Sequence, residues 1–232
     1  MVFTDVGKEN SMLNVLYEDN HVLVVEKPVN IPVMEDESHD EDLLTICKGY
    51  LKEKYQKPGN VYCGLVHRLD RPVGGVIVFA KTSKAASRLS DAVRKHELEK
   101  EYLAVLDGEL KQKKGTLIDY LVKDTKKNMV TVTDEKHGKK CILHYEVLGY
   151  KDHKTLVHIH LETGRSHQIR VQFSSRGYPL VFDQRYNRHT TKGQIALYAF
   201  RLTFLHPTKK EPITISHLPP NKEPWSSFEI TL

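Results

Sequence analysis

Apolar residues come mostly in short runs separated by turn-forming residues. Val22 to Glu26 is one such run, stopped by Lys27-Pro28, and reads as a buried strand. Val76 to Phe79 reads as a second. Leu43, Leu44, Cys47, Tyr50 and Leu51 recur at the spacing of a helix face. Thr82 or Ser83 can cap another helix, with Ala85, Ala86, Leu89, Ala92 and Val93 on one side. Tyr102 to Leu106 predicts a strand ended by Asp107-Gly108. Residues 116–122, 129–133 and 141–149 predict a meander with Lys-rich turns, and Leu156 to Leu161 alternates as a half-buried strand does. Ser166 to Arg176 predicts a third helix, stopped by Gly177 with Pro179 beyond. Ile195 to Leu205 and Ile213 to Ile215 close the sheet. Strands outnumber helices and cluster. That predicts an α+β fold with a mixed, mostly antiparallel central sheet and flanking helices, not a doubly wound one.

At 232 residues the chain is long enough to bury a real core. Residues 1–12 read as a loose tail and 13–232 as one domain. With 39% apolar and 28% charged residues it belongs with globular chains. No apolar run approaches the ~20 residues of a membrane helix, and the charged start lacks a signal-peptide core. Cys47, Cys63 and Cys141 are scattered, which argues against a disulfide framework or zinc site and fits a reducing cytoplasm.

The net charge of +5 is uneven: residues 1–60 hold 6 Lys against 12 Asp or Glu, so the rest carries +11. A basic body suits a polyanionic partner, although a solvated Lys-rich hairpin is the simpler reading of residues 111–140. Six acids crowd residues 35–42, just before the first helix, where they complement its dipole. His158, His160 and Glu162 alternate onto one strand face, the residue types of a metal triad. A plain polar sheet face is the simpler reading there. No GxGxxG or Walker loop is present.

Asp70 lies between Arg68 and Arg71 ahead of Pro72, and a carboxylate so flanked stays ionised, as a nucleophile must. On the residues alone, a surface salt bridge accounts for it more simply. The context alters this. Tyr17 to Pro28 (YEDNHVLVVEKP), Gly64 to Thr82 (GLVHRLDRPVGGVIVFAKT), Glu99 to Gly108 (EKEYLAVLDG) and Leu161 to Tyr186 (LETGRSHQIRVQFSSRGYPLVFDQRY) occur in this order. Together they resemble the RluA family of RNA pseudouridine synthases over residues 13–218.

The resemblance implies the pseudouridine synthase fold with a catalytic cleft, and isomerisation of uridine in structured RNA, a tRNA or rRNA stem-loop. The target nucleotide is flipped out, the glycosidic bond breaks, and the uracil rejoins the ribose through carbon 5. It implies no cofactor and no metal. Asp70 falls on the catalytic aspartate, Arg165 on the arginine that pairs with it, and Tyr102 on the tyrosine that stacks on the flipped base. Arg68 matches an arginine that fills the gap left by that base, and His67 stands beside it on the substrate side. Ile169 and Val171 match the apolar wall of the uracil pocket, and Lys27 belongs to the family's first motif. Asn30 stands where glycine is usual and, tolerating a left-handed backbone, can keep the turn. Val73-Gly74-Gly75, Gln172 and Phe182 also depart from the family pattern. The first motif begins too early to leave room for a separate RNA-binding domain, so the core is expected to grip the RNA, as a cytoplasmic monomer. A catalytically inactive RNA-binding protein on the same fold is the alternative.

Overall fold

A computed structural model describes residues 13–230. The expected tail, residues 1–12, lies outside them. The elements are β1 (Val15–Glu18), β2 (Val22–Lys27), α1 (Leu43–Lys54), β3 (Gly64–Leu65), β4 (Gly74–Ala80), α2 (Ser83–Arg94), β5 (Glu99–Asp107), β6 (Lys114–Asp124), β7 (Met129–Thr133), β8 (Lys139–Lys151), β9 (Lys154–Leu161), α3 (Gln168–Ser174), β10 (Leu197–Leu205) and β11 (Pro212–Ser216). The strands form one sheet in the order β1-β2-β4-β10-β5-β9-β8-β6-β7, with β11 on β10 and β3 on β4. Only β4 and β10 run parallel. The fold is α+β with a mixed, mostly antiparallel sheet, as expected.

The one parallel contact depends on Gly75. It sits at φ +127, and a Cβ there would lie 2.2 Å from the Ala199 carbonyl oxygen. Glycine therefore permits both the backbone angle and the close approach.

Each sheet face has its own cover. Leu43, Cys47 and Leu51 of α1 pack with Leu23, Val25, Ile77 and Phe79 in the largest core, which also takes in Ile169 and Phe173 of α3. Ala85 and Leu89 of α2 join Val22, Val24, Val76 and Val78 on the opposite side. Trp225 anchors a third cluster with Leu103, Val105 and Phe200. α1 and α3 thus lie on one face, and the loops that precede them enclose the cleft.

Helix starts follow local chemistry. Thr82 caps α2 by accepting from the Ala85 N–H, as its sequence position predicts. Asp42 caps α1 through the Thr45 N–H, but no acid stands in the first turn of α1. Only the last acid of the run thus serves the helix N-terminus; the others lie in the preceding loop, where Asp36 and Asp40 hold Arg71. The third helix is shorter than the expected Ser166 to Arg176. Residues 164–167 form a turn, closed where Gln168 Oε1 accepts from the Thr163 hydroxyl and the Arg165 N–H at 2.9 and 3.0 Å. His167, in left-handed conformation, then starts the helix. The apolar patterning missed β1 and β3, which have four and two residues.

Candidate active site

Asp70 lies on the loop between β3 and β4, and a buried lysine fixes that loop. Lys27 has no solvent exposure. Its ammonium donates to the carbonyl oxygens of Pro28, Arg71 and Val73 at 2.9, 2.9 and 2.8 Å. Three acceptors match the three protons of an ammonium. Burial draws the Lys27 pKa down to about 7, while the Asp70 charge pulls it back up. The Val73 N–H donates to the Asp70 carbonyl oxygen at 2.9 Å, and the Gln194 amide donates to the Pro72 carbonyl. Arg71 turns away to Asn30 O, Ser38, Asp36 and Asp40. Asn30 is left-handed at φ 66, as its place in a family glycine position predicts.

Facing Asp70 is the turn and helix of residues 164–170. Arg170 is buried, and its Nε and Nη2 fork onto both oxygens of Asp183 at 2.9 and 2.8 Å. Its remaining Nη1 reaches Asp70 Oδ2 at 3.3 Å. Asp183 is fully buried and also accepts from the Arg185 and Tyr186 N–H groups. Burial alone would raise its pKa, but Arg170 and these amides hold it below the usual carboxylate value. One guanidinium thus spans a structural carboxylate and the candidate nucleophile.

His167 Nε2 stands 3.8 Å from Asp70 Oδ2, and its Nδ1 is 2.7 Å from the Tyr186 hydroxyl. That hydroxyl already accepts from the Val130 N–H, which leaves its own proton for Nδ1. Burial lowers the His167 pKa to about 4, with Arg170, Arg185 and Lys123 pushing the same way against Asp70. The ring is neutral near neutral pH, and with Tyr186 donating to Nδ1 its proton sits on Nε2, toward Asp70.

The cleft between the two loops has a volume of about 1120 Å³. Tyr102 forms part of its wall and is buried. Burial, then the Asp70 charge, raises its phenol pKa. Arg68 stands exposed on the rim, its only side-chain partner being the Met34 sulfur at 3.7 Å. Phe182 occupies the wall in left-handed backbone at φ 60, where the family usually has glycine, and its ring fills the space a side chain at Gly193 would need.

Three sequence-based placements change. Arg165 lines the cleft, but its Nε donates to the Lys140 carbonyl at 3.2 Å, and the ion-pair partner of Asp70 is Arg170. Arg165 precedes the helix, whereas Arg170 sits inside it, on the side facing the Asp70 loop. Val171 points the other way, packing with Leu121, Val130 and Cys141, while Ile169 stays at the cleft. Two residues apart on a helix cannot share a face. Lys27 buttresses the loop from behind rather than lining the cleft. His67 is buried in the wall; its Nε2 accepts from the Val78 N–H at 3.2 Å. Burial, aided by the Lys100 charge, lowers its pKa to about 3.

Sequence reasoning did not single out Arg170, Asp183 or Tyr186 as site residues. The available signal was the second arginine of TGRSHQIR, followed by an aspartate in the same quoted segment. The Lys-rich meander divides: Lys123, Asn128 and Met129 near the β6–β7 tip line the cleft, while Lys114 lies at the other end of β6, paired with Glu146. His158 binds Glu101 and His144 binds Glu162, so these histidines serve cross-strand pairs. Among the described residues no group of His, Cys, Asp and Glu is arranged to hold a metal ion.

The mixed sheet thus carries an aspartate in a basic, aromatic-walled cleft. Comparison makes this specific. Residues 21–175 match the RNA pseudouridylate synthase family, and the chain belongs to it. The chain is similar to the RNA pseudouridine synthase YhcT of Bacillus subtilis, with 34% identity over 215 residues, 90% of this chain and 70% of the relative. It is also similar to ribosomal large subunit pseudouridine synthase D of Buchnera aphidicola, at 29% identity over 86% of this chain and 67% of the relative. The solved human RNA pseudouridylate synthase domain containing 4 shares its fold at a TM-score of 0.76, with 20% identity over 89% of this chain and 88% of that one. The protein is an enzyme that isomerises uridine to pseudouridine within RNA. No described helix is long and apolar enough to cross a membrane.

Proposed function

We propose that Asp70 is the nucleophile of this isomerisation and that Arg170, not Arg165, is the cation that orients it. The observation that carries this reading is the three-point grip of Arg170, which ties Asp70 across the cleft to a fully buried Asp183. A guanidinium so fixed presents its third nitrogen, Nη1, at a constant position, as preorganised catalysis requires. The flipped uridine enters between the two loops. Tyr102 stacks on its base and Ile169 closes the apolar side. Arg68, with no carboxylate partner, fills the gap left in the RNA stack. Arg165 and Lys123 contact phosphates of a stem-loop held by the cleft itself.

Asp70→Asn tests the assignment. Tritium release from RNA carrying uridine tritiated at carbon 5 is expected to fall by about 10³-fold or more, with the fold intact. Activity within about tenfold of wild type removes Asp70 from the nucleophile role.

A further inference from the structure

Lys100 is a cation in the cleft wall that the reading above leaves without a task. It stands two residues before Tyr102 on β5, so both side chains leave the same sheet face, and both line the cleft. Its neighbours Glu99 and Glu101 lie on the other face, where Glu101 binds His158 and Arg201. Asp70, on the facing loop, is engaged by Arg170 instead. Among the described residues no carboxylate or carbonyl lies within bonding distance of the Lys100 ammonium, and burial alone draws its pKa down. The fold makes room for it: a side chain at Gly164 would begin 2.6 Å from Lys100 Nζ. A half-buried cation with no protein partner is only partly solvated, which costs stability. Beside Tyr102 in the cleft wall rather than on the exposed rim, such a group points to a ligand.

We propose that Lys100 is a further catalytic residue: its ammonium contacts a carbonyl oxygen of the flipped uracil and stabilises the negative charge that builds there during isomerisation. This rests on the reading of the Asp70 cleft as the uridine site. When the N1–C1′ bond breaks, its electron pair remains on the uracil ring and spreads to the two carbonyl oxygens, while the Asp70 carboxylate bonds to C1′. When C5 bonds to C1′, that pair becomes the new C–C bond. The Asp70 oxygen departs with its own pair, the C5 proton passes to water, and N1 takes up a proton from water, so the atoms balance. Were Asp70 to add to the base at C6 instead, the displaced ring electrons would reach the C4 carbonyl oxygen, one of the same two. Either course places an anion beside a fixed ammonium in a site shielded from water, where such charges interact most strongly.

The test uses Lys100→Met and Lys100→Gln in the full chain. The probe is total RNA from cells lacking the gene, labelled with uridine tritiated at carbon 5. Single-turnover tritium release is expected to fall by about 10²-fold in both variants. Filter-binding affinity should stay within about twofold, and its dependence on salt should not change, because no phosphate contact is lost. The unfolding temperature should hold or rise, since the substitution removes a partly desolvated charge. Release within about threefold of wild type overturns the proposal. A salt slope reduced by about 0.7–0.9 also does so, making Lys100 a phosphate contact. So does a fall of more than about 5 °C in unfolding temperature in both variants, which makes the role structural. If the wild-type protein releases no tritium from this RNA, the reading of the cleft fails first.

Discussion

Arg170→Lys and Arg165→Lys separate two assignments of the cation that serves Asp70. Lysine keeps the charge of Arg170 but offers one nitrogen where the guanidinium uses three: Nε and Nη2 on Asp183 at 2.9 and 2.8 Å, Nη1 on Asp70 at 3.3 Å. An ammonium that stays on Asp183 gives up one hydrogen bond to a charged partner and its reach to Asp70. Hydrogen bonds to charged groups contribute about 1.5–3 kcal/mol each, so stability should fall by about 2–3 kcal/mol. For a chain of this size that is a drop of roughly 4–12 °C in unfolding temperature. Turnover, assayed at 25 °C where the variant remains folded, should fall by about 10²-fold, because Asp70 loses its fixed partner. Arg165 is exposed and donates only one side-chain hydrogen bond, to Lys140 O. Arg165→Lys should therefore cost under about 1 kcal/mol and act mainly on RNA affinity. Differential scanning fluorimetry and tritium release on both variants decide the matter. The argument is refuted if Arg170→Lys keeps wild-type stability and turnover while Arg165→Lys loses turnover at saturating RNA.

Lys27→Met should destabilise the chain by about 2–4 kcal/mol, because three loop carbonyls lose their shared donor, and should lower turnover more than RNA affinity. Urea unfolding and filter binding check both parts. His67 and His167 are held neutral, at about 3 and about 4, below the ordinary value of 6.5. Between about pH 6 and 5 the unfolded chain therefore binds between one and two more protons than the folded one, so these sites remove stability as acid is added. His167→Gln should halve the two-histidine contribution to the slope of urea-derived stability against pH, and an unchanged slope rejects the neutral assignment.

The fold was largely legible because its strands are written in the apolar pattern. β2, β4, β5 and β9 carry runs that are buried on one or both faces, and each was read at nearly its observed position. β1 escaped because four half-buried residues at a sheet edge carry little periodicity. The third helix was overextended because the sequence shows a continuous mix of apolar and polar residues from Ser166. The turn before it is closed by Gln168 bonding back to Thr163 and Arg165, a side-chain choice that no periodicity reports. Asn30 was legible for the opposite reason: its residue type is tied to one backbone conformation, and the structure has it at φ 66.

The site was legible where a residue's neighbours in sequence are also its neighbours in space. Asp70 and Arg68 share a loop, and Tyr102 and Lys100 share a strand face, so motif and geometry coincide. They part at the arginines. Arg165 and Arg170 stand five residues apart in one motif, and only the place where the helix begins decides which reaches Asp70. That boundary is set by Gln168, and the choice is then locked by Asp183, thirteen residues further on. A partner supplied across the cleft is a tertiary property. Here the buried carboxylate is the cause: once Asp183 is withdrawn from water it demands a guanidinium, and the arginine that satisfies it has one nitrogen, Nη1, left to offer. That remaining donor is aimed by the structural pair, so the geometry at Asp70 is inherited from a contact that touches no substrate.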